Sequence, residues 1–337
     1  MSRYLRFAFV ALLASVPMWL HDFYLLHLMI ITGIFIIAAM SLNLLLGFTG
    51  QLSLGHVAFF GIGAYTSALV SLGFDIHILP AFTVGIAPKP VWFAMLSGIT
   101  VAGLTGYAIG KLSFRVRGAY FVIVSISFAE VVRLIAVNWV ELTGGPMALN
   151  NIPALTFRAG PIELSFLGKP AFYLFVLATA VACYVIIERV VNSRAGRAMI
   201  ALRENESLAM SVGIDVTRYL VIATIVSAAI AGMAGALYTH YIRIVDPDIF
   251  LFIYTVTMVI MVITGGKGTL AGPIVGGALF GFLPEVLRAM AIQPEMQWII
   301  YGVLMVLVVY FLPQGIVPAI ERCLAGWKRK PADVTQF

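Results

Sequence analysis

The sequence predicts an all-α integral membrane protein, and two observations carry that prediction. Hydrophobic residues make up 61% of the chain and charged residues only 11%, against roughly 25% charged in soluble domains. Runs without a charged residue recur along the chain, and each is close to the roughly 20 residues with which a helix crosses a bilayer. Because lipid cannot satisfy unpaired backbone groups, apolar runs of this length indicate helices and not a barrel.

About ten transmembrane helices fit these runs. Their approximate ranges are 4–20, 26–46, 55–72, 91–110, 119–140, 170–188, 218–241, 249–264, 271–291 and 296–313. The first run follows Arg3 and Arg6, as the apolar part of a secretory signal would, but it ends in PMW and not in the small residues of a cleavage site. We therefore interpret it as a retained span. We expect a single transmembrane domain over 1–318 and a basic cytoplasmic tail over 319–337.

The distribution of basic residues predicts the orientation. With the N-terminus inside, fifteen of the 21 Lys and Arg residues fall in cytoplasmic segments. The four that fall outside are Lys89, Arg158, Lys169 and Arg243. Such an excess is typical of cytoplasmic loops, so both termini are predicted inside, with a cytoplasmic loop over 189–217. The same rule accounts for the net charge of +6, and no nucleic-acid partner is expected.

One charge-free run is longer than its two helices require. Residues 23–74 contain no Lys, Arg, Asp or Glu, whereas two crossings use only about 40 residues. The spare residues coincide with GFTGQLSLGH (47–56), which is rich in Gly and Ser. Irregular backbone at membrane depth survives only where protein buries it or a watery cavity solvates it, and Gly-interrupted segments point to binding sites in transporters. We expect a broken or re-entrant segment here; the alternative is a simple cytoplasmic turn.

Two short echoes suggest internal duplication. A second glycine-rich segment, TGGKGTLAGP (264–273), also follows an apolar span, and two stretches share an E-V-x-R core, FAEVVRLIA (128–136) and LPEVLRAMA (283–291). The acid and the base of each core lie at i and i+3 on one helical face. These pairs are Glu130 with Arg133 and Glu285 with Arg288. Because charges inside a span are costly, each pair is expected to be bonded and turned toward the bundle interior, either as a gate or as a structural ion pair.

Intact catalytic, nucleotide-binding and metal-binding motifs are missing from the sequence. QLSLG (51–55) has Gln51 where a nucleophile elbow begins with glycine. TGGKGT has Gly268 where a P-loop needs the Ser or Thr that holds magnesium. The five histidines show no metal-ligand spacing, and the two cysteines support no disulfide framework. We therefore predict no enzyme, no cofactor and no metal.

The longest internal cytoplasmic segment predicts a helix outside the bilayer. Residues 199–212 contain no helix breaker and mix apolar with charged residues. Gly213 would end that helix, and Asp215 or Thr217 could cap the next span. A soluble partner could bind its charged residues; the alternative is a helix that lies on the membrane and binds lipid.

Five motifs, in order along most of the chain, resemble one known family. They are GQLSLGHVAFFGIGAY (50–65), RGAYFVIVSISFAEVVRL (117–134), TGG (143–145), RAGRAMIALRENESLAMSVGID (194–215) and GGKGTLAGPIVGGALFG (265–281). The chain resembles the LivM-type branched-chain amino acid permease subunits of ABC importers. It departs from the family after TGG, where PMALNNIP (146–153) replaces a Gly-rich run. This segment is predicted external, so the departure bears on docking of a binding protein or on substrate choice.

The resemblance implies a set of partners. They are a homologous second permease subunit, two cytoplasmic ATPase subunits, a periplasmic solute-binding protein, membrane lipid and a small polar or amphipathic solute. It also implies a multi-pass protein of the bacterial cytoplasmic (inner) membrane. The cargo would be leucine, isoleucine or valine, with urea, short amides, other amino acids or aromatic acids as alternatives.

The resemblance also implies roles for particular residues. A coupling helix that docks on the ATPase would include Leu202, Arg203, Glu204, Asn205, Glu206 and Gly213. The break would lie along the translocation path, lined by Gly50, Gln51, Ser53, Gly55 and His56. Two other classes are weighed against this reading. One is an ATP-independent secondary transporter or channel, and the other is an intramembrane enzyme that uses Ser53 and His56.

Overall fold

The structure, a computed structural model, describes residues 3–20, 22–79, 82–113, 119–159, 162–166, 168–290 and 292–328. Parts of the ranges given above lie outside these residues, namely positions 117 and 118 of the second motif, position 291 of the second E-V-x-R stretch and residues 329–337 of the tail. The described chain is predominantly helical. The helices are α1 Arg3–Trp19, α2 Phe23–Asn43, α3 Val57–Leu72, α4 Val91–Ser113, α5 Ala119–Asn138, α6 Val140–Thr143, α7 Lys169–Asn192, α8 Arg194–Glu204, α9 Glu206–Ser211, α10 Val216–Ile242, α11 Phe252–Gly265, α12 Gly272–Ala289, α13 Pro294–Phe311 and α14 Ile316–Lys328.

Two antiparallel hairpins interrupt the helical pattern, both in segments expected to be external loops. Strands β1 (Phe74–Leu79) and β2 (Phe82–Ile86) follow α3, with Phe74 opposite Ile86. Strands β3 (Thr156–Ala159) and β4 (Ile162–Ser165) precede α7. Within the part of the chain that the structure describes, each sheet has two strands, so the hairpins connect helices and leave the all-α architecture intact.

A helix occupies each of the ten ranges predicted as spans. Within the described residues, five helical segments are long and apolar enough to cross a membrane: Phe23–Thr49, Val91–Ser113, Tyr120–Asn138, Lys169–Asn192 and Val216–Ile242. Shorter apolar helices are Ala8–Trp19, Val57–Leu72, Phe252–Gly265 and Ile299–Val308. The prediction of an all-α membrane protein is confirmed at this level.

Close backbone approach holds α3, α4 and α10 together. A Cβ built on Gly63 of α3 would lie 2.3 Å from the backbone of Gly232 in α10, and one on Gly98 of α4 would lie 2.6 Å from the carbonyl oxygen of Gly63. Small residues allow such contact between helices in lipid. Glycine at these positions is therefore part of the packing of this three-helix unit.

Helix α2 lies against α12 and runs antiparallel to it. Gly277 and Gly281 of α12 face Ile36 and Thr32 of α2, where an added Cβ would come within 2.3 Å of either side chain. One end of this helix pair lies beside α8, and we name it the α8 end; the other is the opposite end. This arrangement places the end of α2, where the break was predicted, at the α8 end.

Candidate translocation site and coupling segment

Helix α2 does not continue into α3, so the predicted helix break is present. The chain leaves α2 through a π-helical turn over Leu44–Thr49, and Gly50 follows with a φ of 75°. Such a left-handed conformation suits glycine, which lacks a Cβ. The backbone nitrogen of Gln51 still donates to the carbonyl of Leu45 at 3.1 Å, and α3 starts only at Val57. The residues between the two helices form an irregular connection.

Most of this connection is buried, as a solvent-exposed turn would not be. Ser53, Gly55 and His56 are buried, whereas Gly50 is exposed and Gln51 half-buried. A Cβ on Gly55 would lie 1.7 Å from the carbonyl oxygen of Ser125 in α5, so only glycine fits there. The Ser125 hydroxyl in turn accepts a hydrogen bond from the Leu54 nitrogen at 3.1 Å. Helix α5 thus packs directly on the break and supplies a partner to its backbone.

His56 forms a fully buried pair with Ser41 of α2. The distance from Ser41 Oγ to His56 Nε2 is 2.7 Å, and Ser41 Oγ also donates to the carbonyl of Ala38 at 2.6 Å. Since a hydroxyl has one hydrogen, His56 Nε2 is the donor to Ser41. His56 Nδ1 has no hydrogen-bond partner among the described residues. The hydroxyl that His56 bonds is therefore that of Ser41, and the described residues do not show the Ser53–His56 hydrogen bond that the intramembrane enzyme would need.

A narrow cavity lies beside the break. Ser53 and Gly55 line it together with residues of α3, α4, α5 and α10, including Phe59, Phe121 and Thr224. Its free space is about 10 Å³, enough for about one water molecule, whereas ligand sites typically enclose roughly 300 Å³ or more. The structure therefore brings Ser53 and Gly55 together at a closed site, while Gly50 is exposed on the surface of the chain.

The second glycine-rich segment contacts the first at the α8 end. Asn43, the last residue of α2, accepts a hydrogen bond from the Gly268 nitrogen at 2.9 Å and donates one to the Thr269 carbonyl at 2.8 Å. A Cβ on Gly47 would lie 2.3 Å from the Gly268 nitrogen. Lys267, which had suggested a P-loop, is exposed. The two similar glycine-rich segments are therefore in close contact at Gly47 and Gly268, and Asn43, just before the first segment, bonds the second.

The segment predicted as a single helix over 199–212 consists of two helices, so that prediction is wrong in detail. Helix α8 ends at Glu204, and Asn205 has extended backbone before α9 begins. The Asn205 side chain accepts from the Leu208 nitrogen at 3.0 Å. Asparagine is a weak helix former and a strong N-cap, which explains the interruption.

The end of this segment is as predicted. Gly213 has a φ of 85°, and Asp215 caps α10 by accepting from the Arg218 nitrogen at 3.0 Å. We call α8, Asn205, α9, Val212 and Gly213 the coupling segment.

The coupling segment presents both charged and apolar side chains. Arg203, Glu204 and Asn205 are exposed, and Leu202 is buried against the bundle. The apolar residues Leu208 and Val212 are 64% and 70% exposed. Exposed apolar residues beside charged ones are a feature of surfaces that bind other proteins.

Both Glu–Arg pairs expected from the sequence form at the opposite end, and each has a third partner that the sequence did not suggest. Arg133 Nη1 lies 3.1 Å from Glu130 Oε1, and its Nη2 lies 3.5 Å from Asp248 Oδ1. This first pair is not fully enclosed by the chain, since the Glu130 side chain is 54% exposed.

The second pair has a tyrosine as its third partner. Arg288 Nη1 lies 3.2 Å from Glu285 Oε2 and donates to the Tyr24 hydroxyl at 2.9 Å, and that hydroxyl donates to Glu285. The Arg288 side chain is 66% exposed. Tyr24 thus ties the start of α2 to the end of α12.

Sequence reasoning also missed the residues that hold the break in place. Ser41, Asn43 and Ser125 are polar residues inside apolar spans; such residues commonly bond across helices, and this was the available signal. Among the described residues, no three His, Cys, Asp or Glu side chains are grouped closely enough to hold a metal ion.

The family comparison is decisive for the class of protein. Residues 24–309 match the family described as "Branched-chain amino acid transport system / permease component". The chain belongs to this family. It is therefore a transport permease of the membrane, with multiple apolar helices, and not an enzyme.

Several curated proteins are similar to this permease. The high-affinity branched-chain amino acid transport system permease protein LivM of Salmonella typhimurium is 32% identical over 306 residues, which are 85% of this chain and 68% of that protein. LivM of Escherichia coli K12 is 31% identical over 307 residues, 86% of this chain and 68% of that protein.

The permease protein LivH of the corresponding Salmonella system is 26% identical over 296 residues, 84% of this chain and 92% of that protein. No solved structure shows a significant match.

Proposed function

We propose that the chain is the LivM-type membrane subunit of an ATP-driven importer and forms the translocation path for branched-chain amino acids. Family membership and the names of the relatives support the class and the cargo. The observation that carries the mechanism is the buried break between α2 and α3, which lies directly beside the coupling segment.

The proposed topology has ten spans with both termini in the cytoplasm of a bacterial cell, within one permease domain over 1–318. The excess of basic residues on one side supports this orientation. It puts the α8 end in the cytoplasm and both Glu–Arg pairs near the periplasmic face. The two hairpins would then be external, where a periplasmic solute-binding protein would dock.

The proposed energy source is a pair of ATPase subunits that bind the coupling segment. Its exposed Leu208 and Val212 would enter an apolar cleft, and Glu204 and Glu206 would meet basic groups. A homologous second permease completes the core, and the match of this chain to both LivM and LivH supports such a pairing of related subunits. The coupling segment lies within the proposed cytoplasmic loop over residues 189–217.

The proposed path runs along the break, lined by Gly50, Gln51, Ser53, Gly55 and His56. The small free space at Ser53 and Gly55 corresponds to a closed state. Opening requires α5 to move away from the break, because Ser125 contacts it directly. A transporter that shows its site alternately to the two sides needs such a closed state.

The test is uptake of labelled leucine by cells that lack only this gene, complemented with the normal chain or with a variant carrying Glu204→Lys and Glu206→Lys. The normal chain should restore uptake, and the charge reversal should abolish it while the protein is still made. Glu321→Lys is the matched control, because Glu321 is an exposed acid of α14 outside the coupling segment. It should leave uptake unchanged.

Two outcomes would contradict the proposal. If deletion of the gene leaves leucine uptake unchanged in cells without another leucine importer, the cargo is a different solute, and urea, amides and aromatic acids are tested next. If uptake by the normal chain persists after ATP depletion and collapses when the ion gradient is removed, the chain is a secondary transporter.

A further inference from the structure

We propose that Arg203 is a positioning residue that ties the coupling segment to the break in α2 and carries movement from one to the other. This inference rests on the proposed function, since it assumes that a soluble ATPase moves the coupling segment. It assigns the transmission of movement from the coupling segment to the break to one side chain, Arg203, and its hydrogen-bond partners.

The guanidinium of Arg203 has one partner on the break and one on the surface. Nη1 donates to the carbonyl oxygen of Gly47, in the π-helical turn, at 2.9 Å. Nη2 and Nε lie 2.5 and 3.1 Å from Glu204 Oε1, and the Glu204 side chain is 67% exposed. A planar guanidinium holds several partners in fixed directions. An exposed carboxylate is thereby linked through one rigid group to the backbone of the break.

Two glycines leave room for Arg203 at this place, and a third allows the two glycine-rich segments to approach each other. A Cβ on Gly268 would lie 2.6 Å from Arg203 Nη1, and one on Gly50 would lie 3.1 Å from Arg203 Cγ. A Cβ on Gly47 would meet Asn43 and Gly268 at 2.1 and 2.3 Å. The Arg203 side chain therefore lies between the two glycine-rich segments and packs against the backbone of both.

The link continues into the second glycine-rich segment through Asn43. Its side chain bonds both the nitrogen of Gly268 and the carbonyl of Thr269. A hydrogen bond of this length is lost when its atoms separate by about 1 Å. A displacement of α8 by that distance either breaks the contact between Arg203 and Gly47 or pulls the π-helical turn with it.

The experiment uses the whole importer, meaning this chain with its partner permease, its ATPase subunits and its binding protein, reconstituted in liposomes. The quantity measured is the amount of leucine transported per ATP hydrolysed. In Arg203→Gln we expect hydrolysis to continue and this ratio to fall about fivefold or more. The matched control is Arg322→Gln, because Arg322 is an exposed arginine of α14 that donates to the Pro318 carbonyl in its own helix and lies outside the coupling segment. Its ratio should stay within about twofold of normal.

A second readout follows the break itself. Gln51→Cys is placed in a Cys323→Ser background, since Cys323 is exposed and Cys183 is buried. With Arg203 present, trapping ATP in the assembled importer should change the rate at which position 51 reacts with a thiol reagent. With Arg203→Gln that change should disappear, which a purely structural role for Arg203 would not produce.

The outcomes separate this inference from the proposed function. A normal ratio in Arg203→Gln, or an equal loss in Arg322→Gln, would overturn the role of Arg203 while leaving the importer intact. Absence of leucine-stimulated hydrolysis with the normal chain would contradict the proposed function and the inference together. If Arg203→Gln fails to assemble, Arg203→Lys takes its place: partial loss of coupling supports the proposal, and full coupling overturns it.

Discussion

The two glycine-rich segments of this permease meet at the same end of the bundle but are built differently. After α2 the chain passes through a π-helical turn and the irregular residues 50–56 before α3 begins. After α11 only residues 266–271 intervene, and α12 starts with a proline in its first turn. The first segment buries Ser53 and His56, whereas the second exposes Lys267.

This difference shows that glycine-rich composition has two structural roles in this chain. In the second segment glycine permits a tight connection between two packed helices. In the first segment it permits polar side chains to be held inside the bundle, where an unpaired polar group is costly. The two E-V-x-R stretches also differ in their surroundings. The third partner of the first Glu–Arg pair is Asp248, and that of the second pair is Tyr24.

The largest expected effect comes from filling the space that the first segment leaves for α5. In Gly55→Val the new side chain would overlap the backbone of Ser125, and we expect a loss of about 3 kcal/mol or more in unfolding free energy. The melting temperature of the detergent-purified protein should fall by several degrees. Gly302→Val is the control, because nothing lies within 4 Å of that position. Equal stability of the two variants would mean that α5 does not pack on the break.

The next effect tests burial of the polar residues in the two segments. His56→Ala removes a fully buried ring and its hydrogen bond to Ser41, so we expect a loss of about 2–4 kcal/mol. Lys267→Ala, in the exposed part of the second segment, should change stability by no more than about 0.5 kcal/mol. Thermal unfolding of both purified variants measures the contrast. Comparable losses would remove the distinction drawn between the segments.

A smaller effect is expected from separating the two segments. Asn43→Ala removes the hydrogen bonds to Gly268 and Thr269 and should cost about 1–3 kcal/mol, since both backbone groups are left without that partner. Asn43→Asp keeps the acceptor for Gly268, and its protonated carboxyl can also donate to the Thr269 carbonyl, so its loss should be smaller at a pH low enough to keep this buried group neutral. If Asn43→Asp were less stable than Asn43→Ala, the asparagine would not be the clamp between the segments.

The sequence predicted the positions of the helices because each depends on local composition. The ten ranges predicted as spans coincide with helices, and the spare length of the charge-free run 23–74 revealed the break before α3. The π-helical turn, the two hairpins and α14 were not predicted. A π-helical turn differs from the end of an α-helix only in its hydrogen bonds, and α14 lies where charge had suggested only a tail.

The contacts of the candidate site could not be predicted in the same way. His56 and Gln51 were selected as polar residues in an apolar run, but their burial depends on how α5 packs. Arg203 was assigned to a coupling helix, and its bond to Gly47 joins residues 156 positions apart. Such a contact follows from the arrangement of α2 and α8, which no local pattern encodes. Asn205 is a different case, since its capping preference is a local property, yet we predicted one uninterrupted helix over 199–212.

The smallest expected effect compares the two Glu–Arg pairs. Arg133 is 27% exposed and bonds both Glu130 and Asp248, whereas Arg288 is 66% exposed. Arg288→Gln should therefore change stability by about 0.5–1 kcal/mol at most. Arg133→Gln should cost about 1 kcal/mol more, because two carboxylates then face each other without a cation.

Thermal unfolding at low and high salt checks this prediction, since screening weakens exposed pairs first. A larger loss in Arg288→Gln would show that Tyr24 and Glu285 depend on this arginine. The second pair, not the first, would then be the structural one.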